Sequence, residues 1–418
     1  MRPDEIEDFD TVIVGGGPAG AVTGALLAKR GYRVLILEKE RFPRYHIGES
    51  LIIGMMTVLE ELDLIDRLRG MGFPRKDGLS LVWGKDRDLW NINFSEAVGA
   101  PYDYSYHVRR AEFDELLLTR AAELGAVVRQ EATVKEAVGD GTRVTGVRYT
   151  LAGEEHDRQA TGRMVVEASG QARVLGRKLS PVTWQDDLRS VAHWSYWSPT
   201  NDLPDGQNGN ILVERVRDGW VWAIPVASDP PTMSVGFVTP TTELRKGRTL
   251  QELHDAGVEG SKVLRTLLEG SERVAEFRTT RDWSYLADSV AGPGWVSVGD
   301  SAGFIDPLFS GGVFLAILSA HPAARAIDVA LRAPELEREA MAAYQSGHHT
   351  LLSNFLDYVR FFYNPDRDRE DYFEQARAIA GLTEDAGARE AFATVITGVA
   401  ALATVFPIPE VPATAGAS

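Results

Sequence analysis

Three glycines, Gly15, Gly17 and Gly20 in GGGPAG, stand between a β-branched run, DTVIVGGG, and a stretch of small and apolar residues, AGAVTGALLAKRG, that Gly31 closes. At this spacing glycines let the chain turn tightly and bring backbone N–H groups up to a pyrophosphate at a helix N-terminus. Glu38 follows about twenty residues on, at the end of a second strand, YRVLILEKE, where a carboxylate can accept hydrogen bonds from a ribose. The glycines alone would be an ordinary tight turn. With strand, helix and acidic residue in context they predict a dinucleotide site.

Further along, FPRYHIGESLIIG gathers Arg44, His46, Glu49 and Ser50 beside that site. The plain alternative is a surface loop whose Glu49 and Ser50 cap the following helix, LIIGMMTVLEEL. In GWVWAIP, Trp220 and Trp222 are two apart on a strand, so both rings point to one face and form an apolar wall. Such a pair also suits an ordinary core. Asp300 ends the strand GWVSVGD, where it could cap a helix, and DPLFSGGV puts Ser310, Gly311 and Gly312 at a helix start. The free N–H groups and positive dipole end of that start suit a small anion such as chloride.

These residues need a scaffold. The β-α-β start, a helix over 110–124, strands in VVRQEATVKEAV, RVTGVRYT and GRMVVEASG, and a return strand and helix near 295–312 describe a discontinuous α/β nucleotide-binding domain. Its first part is 1–180, of which 79–106 contributes to a substrate domain, and its second is 278–332. Alternating Trp-rich segments over 181–277 predict an antiparallel substrate-covering sheet. Residues 333–418 read as helical, with Ala391–Phe406 a buried C-terminal helix and PIPEVPATAGAS a frayed tail.

At 418 residues and 44% hydrophobic, the chain can build a sizeable core. A net charge of −16 argues against nucleic acid and anionic lipid. The absence of cysteine excludes disulfides and thiolate metal sites, and no metal is expected. Ala391–Phe406 is shorter than the roughly 20 residues that span a bilayer. The acidic start MRPDEIEDFD lacks a signal-peptide pattern, so a cytoplasmic address is expected.

The strand-Gly299-Asp300-turn-helix arrangement resembles the FAD-binding flavoprotein monooxygenase superfamily, whose fold is p-hydroxybenzoate-hydroxylase-like. The resemblance implies that Asp300 meets the ribityl-phosphate part of FAD and that Arg110, leading RRAEFDELLL, lies near the flavin. GWVWAIP, HIGESLI and GFPRKDGLSLVWG narrow it to the flavin-dependent halogenases, closest to the branch acting on phenolic or pyrrolic rings rather than on free tryptophan. Relatives often carry proline where this chain has Ile53 and serine where it has Gly311.

The resemblance implies that residues 42–50 form a flavin-covering strap and that Ser310, Gly311 and Gly312 hold chloride or bromide. Halide then attacks a flavin hydroperoxide, and the hypohalous acid passes Trp220, Trp222, Ile224 and Pro225. Lys76 orients it or forms a haloamine before the ring, free or tethered to a carrier protein, is halogenated for secondary metabolism. A lysine in an apolar passage has a lowered pKa, which suits the haloamine route. The sequence nominates no base for the ring proton, and YVRFFYNPDRDRED could shape substrate choice. One dinucleotide motif, assigned to FAD, implies a separate NAD(P)H-dependent flavin reductase. The alternatives are an aromatic hydroxylase or polyprenyl reductase of the same superfamily, and a non-catalytic flavin-binding protein.

Overall fold

A computed structural model describes residues 6–382 and 386–411. The β-branched run before the glycines forms the strand Glu7–Val14, whose last four residues are buried. Val12 and Val14 pack on one side of the sheet and Ile13 on the other, the pattern of a central parallel strand covered on both faces. The order in this first sheet is Ala291–Gly292, Trp295–Ser297, Arg158–Glu167, Glu7–Val14, Val34–Leu37 and Val127–Arg129, parallel apart from the edge strand Ala291–Gly292. Ala132–Gly139 and Val144–Leu151 extend it antiparallel from Arg158–Glu167.

The second sheet runs Gly303–Phe304, Arg278–Ala287, Val182–Ser198, Pro231–Pro240, Gly219–Ser228, Asn210–Val216, Gly78–Val82 and Leu89–Asn93. It is antiparallel except where Asn210–Val216 meets Gly78–Val82. Gly78–Val82 and Leu89–Asn93 join it, while Ser105–Tyr106 pairs with Arg75–Lys76 in a separate two-stranded sheet, and Arg278–Ala287 carries the larger sheet past residue 277. Helix Leu250–Gly260 interrupts the all-strand reading of 181–277. Its Thr249 and Glu252 form a capping box, the sequence signal of this helix start.

The helix Gly311–Arg332 packs on Pro18–Lys29 and against Glu337–Tyr363, tying the C-terminal helices to the first sheet. It is long and apolar enough to cross a membrane, yet most of its side chains are buried inside the fold. The C-terminal helix is shorter than expected, Ala388–Ile396. Gly398 takes φ +77°, and a side chain there would strike the Phe314 ring, so the chain turns away and leaves Leu402 and Val405 exposed. Residues 412–418 of the tail read as frayed lie outside those described.

Candidate active site

The glycine turn is built by exclusion. A Cβ on Gly15 would lie 2.4 Å from the Ala168 carbonyl oxygen, and one on Gly20 would lie 2.0 Å from that of Gly15. At Gly17, the N-cap of Pro18–Lys29, the nearest atom would be an Arg44 nitrogen at 3.5 Å, so the space before this helix start is open. Glu38 is buried and accepts the Gly16 N–H at 2.7 Å and the Glu40 N–H at 2.8 Å, with lone pairs left for a ribose. At the second turn, a side chain on Gly299 would come within 2.9 Å of Ala19, so the two turns close on each other. Burial pushes Asp300 up to about 6, opposed by the Arg110 charge. Open space before the helix N-terminus, flanked by Glu38 and Asp300, fits FAD.

Residues 42–50 do not cap the following helix. Ile53–Met55 is a 3₁₀ turn running into Met56–Glu61, and neither receives a side-chain cap. Instead the segment is pinned to helix Arg110–Glu123. Arg110 forms a two-pronged ion pair with Asp114 at 2.7 and 2.8 Å and donates to the Ile47 carbonyl at 2.5 Å. Arg44 donates to the same Asp114 at 3.0 Å. Burial opposes the Asp114 charge, but Arg110 and Arg44 hold its carboxyl below the usual range. Glu49 accepts the Tyr196 hydroxyl at 2.6 Å, and burial raises its carboxyl. His46 is exposed, its Nδ1 2.8 Å from the Ile47 carbonyl.

Lys76 lies on the two-residue strand Arg75–Lys76, paired with Ser105–Tyr106. Alternation turns Arg75 to solvent and Lys76 fully inside. Its Nζ has no hydrogen-bond partner and faces the Phe94 ring at 5.2 Å. Burial alone drives its pKa well below that of an ordinary lysine, which favours the neutral amine. A cavity of about 360 Å³ lined by Phe94, Ala97, Pro101, Tyr102 and Tyr104 shares Phe94 with the surroundings of Lys76 and touches no other candidate site residue.

Trp220 and Trp222 are buried with centroids 6.0 Å apart, and Ile224 and Pro225 are buried beyond them. Trp220, Trp222 and Ile224 face the cluster that contains Ile13 and Ile317, whereas Val221 and Ala223 face another core. The wall therefore stands on the sheet face that meets the nucleotide half. A third tryptophan, Trp194, joins at 6.3 Å from Trp222. Trp220 donates to the Tyr363 hydroxyl at 2.8 Å, which lies 3.1 Å from both carboxylate oxygens of buried Asp306. Burial pushes Asp306 up to about 7. Tyr363 comes from YVRFFYNPDRDRED, so that segment reaches the wall.

Ser310, at φ +57°, is the N-cap of Gly311–Arg332. A Cβ on Gly312 would meet nothing within 4 Å, while one on Gly311 would lie 2.8 Å from the Phe355 ring. Phe355 thus explains the glycine at 311. Ile53 is fully buried at the start of its 3₁₀ turn. Sequence reasoning passed over Tyr196, Asp306 and His107, whose partners are distant in sequence, and Asp114, whose i,i+4 spacing from Arg110 was a readable signal. Among the described residues no carboxylate and imidazole cluster is arranged to hold a metal.

The model of the tryptophan halogenase family matches residues 10–102 and 95–406. The tryptophan 2-halogenase of Chondromyces crocatus is 32% identical over 400 residues, covering 93% of this chain and 75% of its own. The 1H-pyrrole-2-carbonyl-[peptidyl-carrier protein] chlorinase of Pseudomonas fluorescens is 30% identical, covering 85% and 84%. Among solved structures, the myxobacterial chondrochloren halogenase, a variant of FAD-dependent halogenases, superposes with a TM-score of 0.82 at 30% identity, covering 95% and 97%.

Proposed function

The chain belongs to the tryptophan halogenase family of flavin-dependent halogenases, and from that premise we propose that it halogenates an electron-rich phenolic or pyrrolic ring with Lys76 delivering the halogen. The observation that carries this reading is the fully buried, unpartnered Lys76 nitrogen, held towards its neutral and nucleophilic form. Reduced FAD, when bound, would supply the electrons for activating oxygen and so for turning halide into hypohalous acid. Gly15, Gly17, Gly20 and Glu38 would hold its pyrophosphate and ribose, Arg44, Glu49 and Arg110 would close over it, and Asp300 would meet its ribityl-phosphate part. The N–H groups at Ser310, Gly311 and Gly312 hold chloride or bromide.

Trp220, Trp222, Ile224 and Pro225 keep the aromatic substrate from the cofactor while hypohalous acid passes. Lys76 then takes up the halogen or orients the acid, and the ring attacks the halogen. The pyrrole substrate of one relative and the tryptophan 2-position of another, itself a carbon of a pyrrole ring, support a pyrrolic or similarly electron-rich substrate. The single dinucleotide cradle among the described residues supports supply of reduced FAD by a separate flavin reductase. The protein is incubated with FAD, a reductase, NADH and chloride or bromide, with a panel of free and carrier-tethered phenols and pyrroles. Halide-dependent mass gain by the ring is expected. Hydroxylated product that forms equally without halide would overturn the reading.

A further inference from the structure

The ring that accepts halogen must also lose a proton, and we propose that His107 is the base that takes it. This rests on the reading of Lys76 as the residue that delivers halogen. His107 is fully buried, and its Nε2 lies 3.1 Å from the Gly209 carbonyl. A carbonyl only accepts, so Nε2 carries the hydrogen and Nδ1 keeps a free lone pair. That Nδ1 has no hydrogen-bond partner.

The ladder sets its direction. Lys76 stands opposite Ser105, and the Pro74 carbonyl accepts the His107 N–H at 2.9 Å, so the same ladder continues one residue further. Ser105 and His107 are two apart and share a face. His107 is therefore the diagonal neighbour of Lys76, at a Cα spacing of roughly 7–8 Å that long side chains bridge. Ser50 pairs with His107 from the other side. The Val108 N–H to Glu49 and Leu51 N–H to Tyr106 bonds flank that pair, which makes it the narrow kind with side chains closest together. Ser50 Oγ, Lys76 Nζ and His107 Nδ1 are thus three buried, unpartnered polar atoms on one face. An unpaired buried polar atom is unfavourable, and three together point to a ligand that satisfies them in use.

Burial keeps the His107 imidazole neutral, and a proton on Lys76, its ionisable neighbour, would push the same way. The proton balance is closed. As the ring π pair forms the carbon–halogen bond, the nitrogen–halogen pair returns to the Lys76 nitrogen. The carbon–hydrogen pair then restores aromaticity, the ring proton passes to the neutral Nδ1, and the imidazolium so formed gives a proton to the lysine nitrogen. Lysine ends as the free amine and histidine as it began.

Two measurements test this. In the parent protein, ¹⁵N NMR near neutral pH should find His107 as the neutral Nε2–H tautomer. An Nδ1–H tautomer, or an imidazolium, would overturn the proposal. His107→Gln should lower the rate of halogenated product about 10²-fold or more, and a phenol or pyrrole that the parent accepts, deuterated at the reacting carbon, should now show a primary isotope effect. Parent-like rates without an isotope effect would overturn the assignment of His107 while leaving Lys76 in place. Normal product from Lys76→Met would remove the underlying reading instead.

Discussion

The strap anchor around Arg110 and the chamber around Lys76 both bury cationic side chains, and they settle them in opposite ways. Arg110 is matched by both oxygens of Asp114 and by the Ile47 carbonyl, and Arg44 shares the same carboxylate. Lys76, equally buried, has an aromatic face nearby and no hydrogen-bond acceptor. Nothing in the chamber compensates an ammonium, so the amine is held neutral, whereas the guanidinium stays charged and shapes the loop. Pairing marks the residue that holds structure, and absence of pairing marks the residue kept for chemistry.

If that contrast is right, the two regions respond to truncation with opposite signs. Arg110→Ala leaves Asp114 buried with only Arg44 for company, and chemical denaturation should register a loss of about 3–5 kcal/mol. Lys76→Met replaces an unpartnered buried amine with an apolar chain of similar length, and the same experiment should show a gain of about 1–3 kcal/mol.

The gain should depend on pH. The folded pKa of Lys76 is lowered, so between it and the ordinary lysine value the unfolded chain binds one more proton than the folded one. Parent stability therefore rises with pH in that window, by up to about 1.4 kcal/mol per unit from this group. The advantage of Lys76→Met should shrink as pH rises and level off above the lysine range at the cost of burying an unpartnered neutral amine. A pH-independent difference would place Lys76 in a solvated setting.

Gly17→Val is the smallest expected change in stability, within about 0.5 kcal/mol, because its backbone is extended and its Cβ meets only the end of Arg44. Flavin binding, followed by fluorescence, should nevertheless be lost. Retained binding would move the cofactor away from this helix start.

The cradle was legible because its physics is local. Gly15, Gly20 and Glu38 sit within one β-α-β unit, and the strand-helix-strand pattern needs no distant partner. The chamber was not legible in the same way. In FPRKDG, Arg75 and Lys76 look alike, and only the pairing with Ser105–Tyr106 separates the exposed from the buried one. Lys76 came from a resemblance to a family, and His107, whose role depends on Gly209 and on a ladder neighbour, was not singled out at all. The sheet boundary was missed at Arg278–Ala287 because strand alternation says which face a residue takes and not which sheet it joins.

The most direct measurement compares halogenated product from the parent, Lys76→Met and Lys76→Arg, using a substrate the parent accepts and a thiol scavenger to capture free hypohalous acid. If Lys76 delivers halogen, both variants should bind FAD and release peroxide or scavengeable oxidant while halogenated ring falls to near zero. Arginine should fail because it stays protonated and cannot form the same haloamine. Parent levels of halogenated ring from Lys76→Met would contradict the account.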